Sequence, residues 1–102
     1  MTPEQLQDLI ISECREITRL FQEKNKGYGN SQDAFYNFRQ SALRLHGSGD
    51  KENMLKVLVT LADKHWVVLA DKGMQDSDFT ERLRDIAVYA LIGIAMKGDK
   101  VA

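Results

Sequence analysis

The sequence has few of the residues that define several other classes of protein. It contains one proline, Pro3, and one cysteine, Cys14, and its 14 basic and 15 acidic residues leave a formal net charge of −1. A lone cysteine cannot form an internal disulfide, which predicts a reducing compartment and hence a cytoplasmic protein. Because there is no basic excess, direct binding to a nucleic-acid polymer or to an anionic membrane is not expected. No apolar run approaches the roughly 20 residues that a membrane-spanning helix needs.

The residues that are present favour a packed helical domain. Of the 102 residues, 43% are hydrophobic and 28% are charged, which is typical of a globular chain with one core. Apolar residues recur at spacings of three and four, and no segment alternates with the period of two that a half-buried strand shows. The sequence therefore predicts an all-α fold, a four-helix bundle formed as a single domain by residues 1–102.

Local signals predict where the four helices begin and end. Thr2 precedes Pro3, and Gln5 follows three residues after Thr2, which is the pattern of an N-terminal capping box. The segment 24–31 contains two glycines and is predicted to be a loop. Capping residues and glycines place the other helices, in order, from near Gln32 to His46, from Asp50 to Gly73, and from Ser77 or Asp78 to Gly98.

The first and fourth helices carry long apolar stripes that are expected to face the core. The predicted stripes are Leu6, Leu9, Ile10, Cys14, Ile17, Leu20 and Phe21 in the first helix, and Phe79, Leu83, Ile86, Ala87, Ala90, Leu91 and Ile94 in the fourth. Residues 87–96 are apolar nearly all round, so this part of the fourth helix is either enclosed or in contact with a second subunit. We expect a homodimer or a larger homo-oligomer.

Two pairs of carboxylates lie at helical spacing. Glu13 and Glu16 share a face of the first helix, and Glu81 and Asp85 share a face of the fourth. If these faces met, the four carboxylates could bind Mg²⁺, which prefers oxygen ligands and keeps waters for substrate phosphates. The alternative is that these carboxylates are ordinary solvated residues of helix surfaces.

Asp85 lies in an apolar patch of the fourth helix and therefore needs a partner. Candidate partners are Lys64, an arginine such as Arg82 or Arg84, or a metal ion, and a structural salt bridge and a functional role are both open. Asp63 and Lys64 in the third helix belong either to a site or to an exposed polar strip. His65 is expected to be a hydrogen-bonded core residue.

The predicted loop at 24–31 suits a nucleotide. Lys24 and Lys26 can neutralise phosphate, the glycines free the backbone to approach it, and the ring of Tyr28 can stack on a base. The loop matches neither of the common phosphate-binding glycine motifs, so an ordinary turn between helices is the alternative.

Three blocks in order resemble the nucleotide modification associated domain 1 family. They are the segment from Phe21 through Lys24-Asn25-Lys26-Gly27-Tyr28-Gly29-Asn30-Ser31, the segment Leu61-Ala62-Asp63-Lys64, and the segment Leu83-Arg84-Asp85-Ile86-Ala87-Val88-Tyr89-Ala90. The family occurs in phage and bacterial genomes near nucleotide-modification genes and looks related to the all-α, MazG-like nucleoside triphosphate pyrophosphohydrolases. The resemblance implies a helical protein that handles a nucleotide. This sequence departs from the family pattern at Gly27, where an aspartate is usual, and at Val67 and Val68, where an arginine is usual.

The sequence thus predicts a nucleotide-binding protein which, if it is an enzyme, is a Mg²⁺-dependent nucleoside triphosphate pyrophosphohydrolase. Two alternatives to this enzyme stay open. One is a non-catalytic module that sequesters a nucleotide, and the other is a helical protein-interaction module. The predicted nucleotide-binding residues are Lys24, Asn25, Lys26, Tyr28, Gly29, Lys64 and Tyr89. The predicted catalytic residues are Asp63 and Asp85, and the predicted metal ligands are Glu13, Glu16, Glu81 and Asp85.

Overall fold

The computed structural model describes residues 1–28 and 32–100, with side chains for 1–25 and 32–100. The elements of these ranges are α1 (Pro3–Tyr28), α2 (Tyr36–His46), α3 (Lys51–Lys72), a short 3-10 turn (Gly73–Gln75) and α4 (Phe79–Gly98). The described residues contain no strand, so the predicted all-α fold with four helices is confirmed. None of the helices in these ranges has the length and hydropathy required to cross a membrane.

The predicted N-terminal caps of α1 and α3 form, whereas Asp78, at the N-cap of α4, makes no side-chain cap hydrogen bond. The Thr2 amide donates to Gln5 Oε1 at 2.9 Å, and the Gln5 amide donates to Thr2 Oγ1 at 3.1 Å, which completes the capping box of α1. Asp50 Oδ1 accepts a hydrogen bond of 2.9 Å from the Asn53 amide and caps α3. Gly47 ends α2 in the left-handed region, with a φ of 89°, where a side chain would be strained.

Two predicted boundaries around the first loop are wrong. α1 continues to Tyr28, so Lys24 and the residues up to Tyr28 are helical rather than part of a loop. One glycine in a helix costs only about 1 kcal/mol, and Lys24 gains an ion pair with α4 by staying in the helix. α2 begins at Tyr36 rather than near Gln32, because Asp33 Oδ1 accepts from the Phe35 amide and holds a turn there.

The helices contact one another in a ring. α1 contacts α2 and α4, and α3 contacts α2, α4 and the 3-10 turn. Within the described ranges, the backbones of α1 and α3 do not come into contact. The core lies between α2, α3 and α4, and it consists of Phe38, Ala42, Met54, Val57, Leu58, Val88, Tyr89, Ile92 and Met96.

The predicted core face of α4 is wrong in the C-terminal half of the helix. Leu91 is 58% exposed and Ile94 is 70% exposed, and Leu83 is also exposed. The buried residues are instead Val88, Tyr89, Ile92 and Met96. The sequence could not distinguish the two faces because the segment is apolar nearly all round, and the buried face is the one that continues from Asp85 at helical spacing. We call the exposed stripe of Leu83, Leu91 and Ile94 the outer face of α4.

The N-terminal half of α1 extends away from the core. Every residue from 1 to 12 is exposed, although the predicted stripe of α1 starts here with Leu6, Leu9 and Ile10. Only further along, at Ile17 and Phe21, does this stripe pack against the core. Cys14, which the stripe would place in the core, is exposed. The first half of the apolar stripe of α1 is therefore uncovered in the single chain.

Candidate functional site

A cavity of about 370 Å³ opens between α1, α2 and α4. Its volume is within the range of roughly 300–1,000 Å³ that is usual for sites of small ligands. Three phenylalanines, Phe21, Phe35 and Phe38, line it, and Thr18 and Asn25 provide polar groups from α1. The wall contributed by α4 consists of Val88, Leu91, Ile92 and Ala95. The cavity is thus aromatic and mostly apolar, with an amide and a hydroxyl on one side.

An ion pair lies one helical turn from this cavity. Lys24 Nζ donates to Asp85 Oδ1, and the two side chains are 42% and 23% exposed. Lys24 follows Phe21 by three residues on α1, and Asp85 precedes Val88 by three residues on α4, so both lie on the helix faces that line the cavity. A partly exposed ammonium group and a carboxylate therefore stand at the edge of an aromatic cavity.

From Asp85 a chain of polar contacts runs between α3 and α4. Asp85 Oδ2 lies 3.5 Å from His65 Nε2, and His65 Nδ1 lies 3.2 Å from Arg82 Nη1. Arg82 Nε in turn donates to Asp76 Oδ2 at 2.8 Å. The chain ends at a carboxylate that is only 4% exposed, so the contacts extend from the edge of the cavity into the interior.

The arginine determines where the proton of His65 lies. A guanidinium group can only donate, so Arg82 Nη1–H donates to Nδ1 of the neutral ring. The proton of neutral His65 is then on Nε2, and it points towards Asp85 Oδ2. Burial lowers the pKa of His65, and the cations of Lys64, Arg82 and Lys24 lower it further, against the opposing effect of Asp85. The neutral ring is the favoured form at neutral pH.

His65 should make the protein less stable in mild acid. Its pKa in the unfolded chain is near 6.5 and is lower in the folded chain, so the unfolded state binds more protons as the pH falls. The stability that neutral His65 contributes is fully present above pH 6.5, and it is lost as the pH falls through the pKa that His65 has in the folded chain. Urea unfolding from about pH 8 to about pH 5 should show that His65→Gln loses part of this pH dependence.

The exposed His46, at the end of α2, provides the matched His46→Gln control for the loss of an imidazole. Both variants carry the same carboxylates as the parent protein, so acid effects on those groups cancel in the comparison. Identical pH profiles for His65→Gln and the parent protein would contradict this role of His65.

Three of the predicted metal ligands, Glu13, Glu16 and Glu81, are close enough to the Arg84 guanidinium to raise its pKa, so a cation of the protein already lies among them. Glu13 accepts two hydrogen bonds from Arg84, at 2.7 and 2.8 Å, and this pairing lowers the pKa of Glu13. Glu16 is paired with Arg19, which lowers the pKa of Glu16 in the same way. Glu81 is exposed, and in the described part of the chain no three His, Cys, Asp or Glu side chains are grouped so that they could hold a metal. These carboxylates do not fit a Mg²⁺ site in this conformation.

The remaining predicted site residues differ in burial, and some of them lie outside the described residues. Tyr89 is buried, and its ring centre lies 6.5 Å from that of His65. Asp63 and Lys64 are exposed, and Asp63, two residues before His65, points to the other side of α3 from His65. Gly29 and the side chains of Lys26 and Tyr28 lie outside the described residues.

The partners proposed for Asp85 from sequence are corrected by the structure. Its carboxylate contacts Lys24 and His65, whereas Arg82 pairs with Asp76 and Arg84 pairs with Glu13. Helical spacing could not reveal Lys24 as a partner, because it is 61 residues away. The aromatic lining was also missed, although the sequence predicts Phe21 as part of the apolar stripe of the first helix.

Comparisons with known proteins do not assign the chain to a family. No family model matches the sequence, and no curated protein and no solved structure matches it.

Proposed function

We propose that this chain is a cytoplasmic nucleotide-binding protein of nucleotide metabolism or modification, and that the base occupies the aromatic cavity. The observation that carries this proposal is the pairing of the cavity with Lys24 at its edge. A nucleotide has the same two parts, a flat base and an anionic phosphate. The resemblance to the nucleotide modification associated domain 1 family points to the same ligand class.

The cavity offers suitable contacts for a base. Aromatic rings stack on bases for about 1–3 kcal/mol each, and three phenylalanines line the walls. The Asn25 amide has donors and an acceptor for the polar edge of a base. Thr18 Oγ1 donates to the Cys14 carbonyl at 2.9 Å, which leaves the hydroxyl oxygen able to accept a hydrogen bond from a ligand.

The phosphate would lie at the edge, with Lys24. This lysine is 42% exposed, so its ammonium group can contact a ligand while it remains close to Asp85. Lys26, two residues further on, is a second candidate for the phosphate. Asp85 is a positioning residue in this proposal, since it holds Lys24 beside the cavity.

Binding without hydrolysis is the form of the proposal that the geometry supports best. Glu13 and Glu16 are each paired with an arginine, and the described carboxylates do not fit a Mg²⁺ site. We therefore propose no metal-dependent step. A non-catalytic module that sequesters its nucleotide needs the cavity and Lys24 alone, whereas a pyrophosphohydrolase would need these carboxylates to rearrange.

The proposed binding form is a homodimer or a larger homo-oligomer. The outer face of α4, which includes Leu91 and Ile94, supports this part of the proposal because it leaves large aliphatic side chains exposed in the single chain.

Thermal unfolding with a panel of ribo- and deoxynucleotides tests the proposal. A ligand at about 100 times its dissociation constant should stabilise the protein by about 2.7 kcal/mol. Lys24→Met should weaken binding roughly tenfold or more for every base, because a charge-assisted contact is lost. Asn25→Leu should weaken binding and reduce discrimination between bases. Affinities are measured by isothermal titration calorimetry.

Lys72→Met, at the exposed end of α3, is the matched control and should bind like the parent protein. If no nucleotide shifts the transition at millimolar concentration, the proposal is wrong. If a triphosphate binds and is consumed only with Mg²⁺, the non-catalytic form is wrong and the pyrophosphohydrolase alternative replaces it.

A further inference from the structure

The single chain exposes more surface than a folded monomer of its size. Its accessible surface is 7356 Å², whereas a monomer of 11.6 kDa is expected to expose roughly 5,800 Å². Its radius of gyration is 15.4 Å, against about 12.8 Å expected for a compact domain of this length. The excess surface, roughly 1,500 Å², is larger than the area of about 800 Å² that each partner loses in a standard interface.

Apart from side chains exposed on α2 and α3, such as Leu45, Val59 and Val67, the exposed aliphatic surface lies in two places. One is the N-terminal half of α1, where Leu6, Leu9 and Ile10 are 47%, 49% and 52% exposed. The other is the outer face of α4, where Leu91 and Ile94 are more exposed still. Each patch has the spacing of a core-facing helix stripe, so each is suited to packing against another helix.

We propose that a second copy of this chain covers both patches, with the N-terminal half of α1 of each protomer packed on the outer face of α4 of the other. This exchange is reciprocal and closes with two-fold symmetry, so neither patch remains exposed in the dimer. The inference rests on the proposed homo-oligomer and does not depend on the nature of the ligand.

Charge favours this pairing over the pairing of like helices. The exposed residues 1–12 contain Glu4 and Asp8 and no lysine or arginine, whereas residues 86–98 contain Lys97 and no acidic residue. Packing α1 on α1 would bring acidic residues together, and packing α4 on α4 would bring the lysines together. Packing α1 on α4 brings opposite charges together and keeps them at the edge of an apolar contact.

The second copy would also complete the cavity. Leu91 and Ala95 line the cavity, and both are exposed on α4, next to Ile94. A helix packed over Leu91 and Ile94 covers this side of the cavity. The ligand site is therefore complete only in the dimer, and the partner's α1 becomes part of its wall.

The mass in solution, measured by light scattering without nucleotide, tests the interface independently of ligand binding. The parent protein should have twice the 11.6 kDa mass of the chain. Leu9→Glu and Ile94→Glu each place a charge in the proposed interface and should raise the dimer dissociation constant at least about 30-fold. Leu45→Glu is the matched control, because Leu45 on α2 is as exposed as Ile94, at 70%, and should leave the dimer intact.

Cysteine cross-linking, which does not destabilise the fold, tests which helices meet in the dimer. In a Cys14→Ser background, Leu9→Cys and Ile94→Cys chains are mixed and oxidised. A disulfide between the two different chains supports the pairing of α1 with α4. A monomeric parent protein, or cross-links formed only between identical chains, would overturn the proposal. Nucleotide binding by a monomer would do the same, and it would remove the homo-oligomer from the proposed function while leaving nucleotide binding intact.

Discussion

Replacing Arg82 with leucine should lower the free energy of unfolding by about 3–5 kcal/mol. Arg82 Nε donates to Asp76, whose side chain is 4% exposed, and Arg82 Nη1 donates to His65. Leucine retains part of the apolar bulk but leaves a buried carboxylate without this cation and Nδ1 of His65 without this donor. Urea unfolding at neutral pH measures the loss.

Arg19→Leu is the matched control, because Arg19 is 54% exposed and its two ion pairs lie on the surface of α1. It should cost no more than about 1 kcal/mol. Adding Asp76→Asn to Arg82→Leu removes the unpaired charge and should recover part of the lost stability. If Arg82→Leu and Arg19→Leu lowered the free energy of unfolding equally, the ion pair of Arg82 with Asp76 would not stabilise the protein as expected.

Replacing Met54 with alanine should lower the free energy of unfolding by about 2–5 kcal/mol. Met54 on α3 is completely buried, and it lies in the core with Phe38 and Met96. Alanine would leave a void that close-packed neighbours can fill only in part. The loss should appear as a lower urea midpoint with an unchanged slope of the transition.

Met74→Ala makes the same chemical change at a residue that is 85% exposed, in the 3-10 turn. It should change stability by no more than about 0.5 kcal/mol. If both methionine variants were equally stable, Met54 would not be in the core that this structure describes.

The sequence predicts the helix ends best because capping is local. Thr2, Asp50, Gly47 and Gly73 act on residues within one turn of themselves, so a short window contains the whole signal. The end of α1 was missed because the gain that carries the helix past Lys24 comes from Asp85 on another helix. A local pattern cannot include that gain.

The buried face of α4 and the candidate site depend on non-local packing. The stripe with Leu91 and Ile94 and the stripe with Val88 and Ile92 are equally apolar, and only the position of the neighbouring helices decides between them. The sequence does predict that Asp85 has a partner, since a carboxylate in an apolar patch is costly alone. Its actual partners, Lys24 and His65, depend on how three helices meet.

The ring of helix contacts described above also bears on the order in which the chain folds. α2 packs on α3 and α3 on α4, so most of the core joins segments that are adjacent along the chain. Such low contact order favours folding in microseconds to milliseconds. The closure of α1 on α4 is different, because its ion pair between Glu13 and Arg84 joins residues 71 positions apart. We therefore expect the contact of α1 with α4 to form after the contacts between neighbouring helices, and to open before them in the native state.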